Sequence, residues 1–278
     1  MPTALRDRTA RVRTLACAAL VAALLAGCVQ EVPITGRKQL ALVSAGQLQA
    51  LSDRQYREIL QQETLSTDAR QTALLQRVGG RVSSAVDRYF AERGLADRLS
   101  GYAWEFRLIE SEEQNAFCMP GGKVAVYTGL LPITKDENGL AVVVSHEIAH
   151  AVAQHARERM SQALVLSGLG LALDRALADQ GDKTRNIFRA LYGAGAGLGV
   201  MLPHSRRQEA EADRLGLVFM AMAGYDPRGA VDLWQRMAAA DQGPNVPVFL
   251  RTHPTDQARI AAIREDLPEA LSYYRDAR

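Results

Sequence analysis

Hydrophobic and polar residues follow two different periods along this chain, and the switch between them marks out its parts. From Ala45 to Gln62 and from Asp68 to Arg93 apolar residues recur every three to four positions, which predicts two amphipathic helices, the second stopped by Gly94. Tyr102 to Ile109 then alternates apolar with small or charged residues and predicts a strand. Lys123 to Tyr127 predicts a second strand, with Val124 and Val126 on one face and turn chemistry, Pro120-Gly121-Gly122, before it. Everything after Tyr127 has helical character. Thr134-Lys135-Asp136-Glu137 fits a capping box with Thr134 as N-cap, and Leu140 to Met160 is expected to run as one mostly buried helix. Val142, Val143, Val144, Ile148 and Val152 spread round too much of its circumference for a surface helix. Residues 161–203 are apolar and Gly-rich, split by Asp179–Arg185, and read either as two helices covering a cleft or as a plain hairpin in the core. Their apolar runs are too short to span a bilayer. The expected fold class is α+β, predominantly helical, with a small sheet.

The N-terminus follows a different logic. Arg6, Arg8, Arg11 and Arg13 precede a short apolar run from Leu15 to Gly27, which suits a signal peptide over residues 1–27. Leu25-Ala26-Gly27-Cys28 resembles a bacterial lipobox, so Cys28 is the expected lipidation site; an ordinary cleaved signal or an anchor helix is the alternative. Residues 28–43, with Pro33 and Gly36, read as a tether, and 44–278 as the folded domain. Without residues 1–27 the chain carries 29 basic and 30 acidic side chains, so nothing calls for nucleic acid as a partner. With Cys28 lipidated, Cys118 is the one thiol left after residue 27, so no internal disulfide is expected, and Cys118 reads as a small buried apolar residue.

The chemistry concentrates at His146-Glu147-Ile148-Ala149-His150. On a helix the two histidines lie one turn apart on one face, where they can grip a zinc ion, and Glu147 is placed to take a proton from water. A catalytic zinc needs a third protein donor. Glu209 and Asp213 share a face of the next charged helix, with Arg206 one turn before and Glu211 pointing away, so Glu209 is the candidate ligand and Asp213 the acceptor for an imidazole N–H. His155 follows His146 by about 900° of helix, which puts it on the opposite face as long as that helix stays regular. It is expected to make a structural hydrogen bond. Arg206 and His204 are candidates for stabilising an oxyanion.

H-E-x-x-H followed by Ser205-Arg206-x-x-Glu209-x-x-Ala212-Asp213 resembles the gluzincin metallopeptidases that include HtpX and the CAAX prenyl endopeptidases. Pro33-Ile34-Thr35-Gly36-Arg37, the segment Asn115 to Gly122, and Thr252-His253-Pro254 with Arg259-Ile260 resemble its periplasmic lipoprotein branch, which contains BepA and LoiP. The resemblance implies one Zn²⁺ per chain held by His146, His150 and Glu209, Glu147 as general base, and a small sheet flanking the active-site helix. It implies that Asn115 and Ala116 open a strand edge where substrate adds in extended form. His253 is expected either to occupy the fourth metal position as a latency plug or to be a plain turn histidine. The implied function is a zinc endopeptidase of the bacterial cell envelope acting on misfolded or unassembled outer-membrane proteins. A lipid-tethered chaperone with little proteolysis is the alternative, and an integral-membrane protease a weaker one. Val29 after Cys28 favours the periplasmic face of the outer membrane.

Overall fold

The computed structural model describes residues 29–32, 35–166, 204–241 and 246–276. Cys28, the signal segment, Pro33, Ile34 and residues 167–203 of the expected cover lie outside them. The fold is layered, helices on both faces of a small sheet. Helix α1 is Ala45–Gln62, started by a capping box between Ser44 and Gln47. Helix α2 is Ala69–Glu92, where the Asp68 carboxylate accepts from the amides of Arg70 and Gln71. It ends as expected beside Gly94, at φ 67°. Three strands follow: β3 Glu105–Ile109, β4 Ala116–Met119 and β5 Lys123–Tyr127. β5 is central, parallel to β3 and antiparallel to β4, so β4 forms an edge. Only the C-terminal half of the Tyr102–Ile109 pattern becomes strand, and β4 carries no alternation of exposure by which to recognise it, being buried throughout.

The period-two pattern decides the layers. Phe106, Leu108, Ala116, Cys118, Val124 and Val126 face a core shared with α2 and the motif helix. Ile109, Phe117, Met119, Ala125 and Tyr127 face a second core built by α1 and the helix His155–Leu166. After a short helix α3, Leu131–Thr134, the motif helix α4 runs from Glu137 to Val152 and is buried over nearly its whole length. α5 is His155–Leu166, α6 Arg206–Met222, α7 Gly229–Asp241, α8 Val248–Thr252 and α9 Gln257–Asp276. α6 packs on α4, and α9 on α6. Among the described residues no helix is long and apolar enough to cross a membrane.

Three expectations need correction. Asp136, not Thr134, caps α4: its carboxylate accepts from Gly139 N–H at 2.8 Å, while the Thr134 hydroxyl donates back to Leu131 within α3. Lys135, at φ 66°, separates the two helices. The expected single helix from Leu140 to Met160 breaks after Val152, because Gln154 adopts φ 58° and restarts the chain as α5 in a new direction. The tether is folded back rather than extended. Strands β1, Val29–Glu31, and β2, Lys38–Leu40, pair as a hairpin on α5, and Val32 and Val43 are fully buried.

Candidate metal centre

α4 and α6 approach closely enough to share a site because Gly216 faces the motif. A Cβ there would stand 3.1 Å from the backbone nitrogen of His146, tighter than packing normally allows. Seven residues earlier on α6, Glu209 reaches the same face, and the turn after α8 delivers His253. His146 Nε2 lies 3.0 Å from His150 Nε2 and 3.2 Å from His253 Nδ1. Glu209 Oε1 lies 3.4 Å from His150 Nε2 and 3.0 Å from His253 Nδ1, and Glu209 Oε2 lies 3.5 Å from His146 Nε2. All four side chains are buried.

Those spacings test the fit of a metal. Four donors at the corners of a tetrahedron with zinc–ligand lengths of about 2.0–2.1 Å stand about 3.3 Å apart. With Glu209 presenting either of its two oxygens, the five separations above, 3.0–3.5 Å, lie on both sides of that value. The donor chemistry, three imidazoles and one carboxylate, is also that of zinc.

Behind the ring, His146 and Glu209 each have a charged support. Asp213 Oδ1 lies 3.0 Å from His146 Nδ1, and Arg259 grips Asp213 from its Nε at 2.7 Å and from its second terminal nitrogen at 2.8 Å. The other terminal nitrogen of Arg259 stands 2.7 Å from Glu209 Oε2, and its guanidinium plane lies over Trp234. Burial alone would lower the His146 pKa, but Asp213 and Glu209 outweigh it and hold it at about 9. Burial pushes the Glu209 carboxyl up, and the charges of His253 and Arg259 with the bonds from both motif histidines bring it well below the usual carboxylate range. Burial dominates at Glu147, whose carboxyl is raised. It accepts from Cys118 N–H at 3.2 Å, and its Oε1, buried without a hydrogen bond, stands 3.3 Å from His253 Nε2.

The expected site residues separate into groups. His146, Glu147, His150, Glu209, Asp213 and His253 converge. His204 joins them, stacked on His253 and beside His150, with its Nδ1 buried and unpartnered. The strand edge that Asn115 and Ala116 open is not exposed. Both are buried, the Asn115 side chain accepts from Ala116 N–H at 2.9 Å, and Phe249 N–H binds the carbonyl of Gln114 at 3.0 Å, so α8 covers the edge. Arg206 does not belong. As the first residue of α6 it projects into solvent, 93% exposed, towards Asp256 at 3.7 Å. His155 is not on a far face either, because the break at Gln154 swings it back to stand 2.8 Å from His150. Its expected hydrogen-bonding role is met, for a different geometric reason. Cys118 is buried, and burial raises its thiol well above the ordinary value, which suits a packing residue.

Three residues near the site escaped the reading of the pattern. Arg259 and Arg37 stood out only as letters of the quoted segments, and Glu211 only as a residue facing away. Glu211 is buried rather than solvated, and it binds His155 Nε2 at 2.9 Å and Arg37 Nε at 2.7 Å. Burial raises its carboxyl, but hydrogen bonds from His155, Thr35 and Arg37 hold it at about 2.

Residues 76–267 match peptidase family M48. The chain belongs to peptidase family M48. Members of that family are zinc-dependent metallopeptidases, and the donor ring suits the metal. Over 87% of its length the chain is 34% identical to the mitochondrial metalloendopeptidase OMA1 of Schizosaccharomyces pombe, covering 67% of that protein. It is 26% identical to the metalloprotease LoiP of Escherichia coli over 92% of this chain and 96% of that one. It is 27% identical to the beta-barrel assembly-enhancing protease of the same organism, over 88% of this chain and 48% of that one. The chain spans about half the length of several of the curated relatives it matches.

Proposed function

We propose that this member of family M48 is a zinc endopeptidase of the bacterial cell envelope that cleaves misfolded or unassembled envelope proteins and rests in a latent state. His146, His150 and Glu209 would hold the metal, and His253, standing among the same donors, would keep substrate away from it. The observation that carries the reading is the position of the His253 ring. Its Nδ1 stands among the metal donors, 3.2 Å from His146 Nε2 and 3.0 Å from Glu209 Oε1, and its Nε2 faces Glu147 Oε1 at 3.3 Å. The His253 ring therefore stands between Glu147 and the other donors, where a reacting water and carbonyl would have to go.

When bound, zinc supplies a Lewis acid for the scissile carbonyl and acidifies the attacking water. Glu147 takes that water's proton and passes it to the leaving amine nitrogen. Cys118 N–H, bonded to the other Glu147 oxygen at 3.2 Å, keeps the carboxylate aimed. His204 is the remaining candidate for facing the oxyanion. Substrate adds along β4, where the alternation of an antiparallel strand turns the backbone groups of Ala116 away from β5. That pairing reads backbone and little sequence, which suits unfolded substrates. α8 is bonded to the same edge, so one segment blocks both the strand edge and the metal.

The envelope location, anchored through lipid at Cys28 on the periplasmic face of the outer membrane, rests on the N-terminal pattern and draws support from the similarity to LoiP and the beta-barrel assembly-enhancing protease. The chaperone reading draws on the closed resting site. Zinc content and casein cleavage of the parent, Glu147→Gln and His253→Ala decide between them. All three should bind zinc. Glu147→Gln should lose cleavage by about 10²–10⁴-fold, and His253→Ala should cut faster than the parent. Cleavage by Glu147→Gln at the parent's rate would sink the assignment, and no cleavage by any of the three would favour the chaperone.

A further inference from the structure

His155 and Glu211 lie outside the donor ring, yet the hydrogen bonds that run through them constrain it. His155 Nδ1 stands 2.8 Å from His150 Nδ1, and His155 Nε2 stands 2.9 Å from Glu211 Oε2. Between two facing ring nitrogens one must donate and the other accept. Glu211 offers only acceptors, so His155 Nε2 carries the proton of that bond. In a neutral His155 the Nδ1 is then bare, and His150 Nδ1 must carry the next proton. His150 Nε2 is thereby left with its lone pair directed into the donor ring. A doubly protonated His155 would instead require a bare His150 Nδ1 and a protonated Nε2, which holds no metal. The same logic disposes of His150, His155 and His204 as a second metal site, although their nitrogens are close enough for one. A neutral imidazole has a single ring lone pair, and the first ring uses that of His150.

Glu211 is held in turn by the N-terminal hairpin. Arg37 Nε donates to Glu211 Oε2 at 2.7 Å, and the Thr35 hydroxyl donates to Oε1. The two terminal nitrogens of Arg37 form a fork on Glu158 at 2.9 and 2.8 Å, which clamps the hairpin to α5 as well as α6. Gln208, beside the metal donor Glu209, donates to the same Glu158 at 2.8 Å. The structure assigns Arg37 as a positioning residue of the metal centre: through Glu211 and His155 it fixes the ring orientation and tautomer of His150. The β1–β2 hairpin is on this view part of the metal site although Thr35 and Arg37 bond Glu211 and Glu158 rather than a donor. The assignment rests on His150 being a ligand, as proposed above.

The test uses the purified full chain and measures zinc affinity by chelator competition at one pH, the thermal midpoint of the metal-free protein, and the histidine tautomers by nitrogen–proton correlation. Arg37→Ala should weaken zinc binding by up to about 10-fold, the low end of the usual cost of losing a support behind a ligand, because Arg37 acts through Glu211 and His155. Arg37→Lys should recover only part of it, because an ammonium cannot fork. Glu158→Gln loosens the other end of the clamp and should lower the midpoint with a much smaller loss of zinc affinity. The zinc-loaded parent should show His155 protonated at Nε2 and bare at Nδ1. Unchanged zinc affinity in Arg37→Ala, affinity losses in both variants that merely follow their midpoints, or a His155 protonated at Nδ1 would each overturn the role. Should Arg37→Ala not fold, the parent's tautomer spectrum decides alone. A parent that binds no zinc would fail the ligand assignment itself, and this role with it.

Discussion

His146 and His150 stand one turn apart on one helix and face one cluster, yet their outer nitrogens lean on unlike supports. Behind His146 is a carboxylate, Asp213, pinned by the buried guanidinium of Arg259. Behind His150 is another imidazole, His155, with the charged pair Glu211 and Arg37 one step further out. The proton affinities separate accordingly. His146 is held at about 9 by its carboxylate neighbours against burial, while burial takes His150 well below the ordinary value. A charge in direct contact gives a strong hold but needs its own buried counter-charge; a neutral relay places that counter-charge at a distance. α6 serves both arms, Glu209 and Asp213 from one face and Glu211 from another.

Breaking the charged arm should cost most. Asp213→Ala leaves Arg259 without its main partner in a buried position, and removing one member of such a pair costs about 3–5 kcal/mol. Freed Arg259 would also pull harder on Glu209 Oε2, already 2.7 Å away. Zinc affinity should fall by up to about 100-fold, and the thermal midpoint of the metal-free protein should drop with it. The relay arm, tested by Arg37→Ala, should lose affinity with a smaller loss of stability, because Arg37 keeps some contact with water. If Asp213→Ala bound zinc like the parent, the contrast between the arms would be false.

A second variant should strike both arms alike. Gly216 is where α4 and α6 touch, and a Cβ there meets His146 N, His146 Cα and Ser145 C at 3.1–3.3 Å. Gly216→Val must push the helices apart, at about 1–3 kcal/mol for an overpacked contact. The donors of α4 and α6 would separate together, so zinc affinity should fall whichever arm is intact. Gly216→Val melting and binding zinc like the parent would mean that the spacing of the two helices is not what sets the ring.

Much of this arrangement is legible in the sequence, for local reasons. That His146 and His150 share a face follows from helix periodicity, since i and i+4 lie one turn apart, Glu209 was a candidate only through its charged run and the family resemblance, and β5 follows from its alternation. What was not legible depended on single backbone angles and distant partners. Ala153-Gln154 contains neither Gly nor Pro, so nothing local announces the break that carries His155 to His150. The hairpin around Thr35 and Arg37 looked like a tether because its strands are only three residues each, and what holds them is the ion pairs to α5 and α6. Glu211 read only as a residue facing away, because its partners are 174 and 56 residues distant in sequence.

The smallest effect is expected where α4 begins, at the end remote from both arms. Glu137 accepts from Arg77 at 2.7 Å and from the Tyr225 hydroxyl at 2.8 Å. The Arg77 hydrogen bond, helped by Tyr225 and opposed by partial burial, holds its carboxyl below the ordinary range. A carboxyl lowered by folding contributes stability that is complete above its unfolded pKa, about 4.3, and is lost as pH falls through the lower folded value. Glu137→Gln should therefore melt slightly below the parent at pH 7, and the gap should close as the pH drops below about 4. Because the pair is part-exposed and screened by solvent, the gap should also shrink in high salt. Zinc affinity at pH 7 should match the parent's. A loss there comparable to that of Arg37→Ala would mean that any disturbance of α4 loosens the ring, and the separate roles of the two supports would collapse into one.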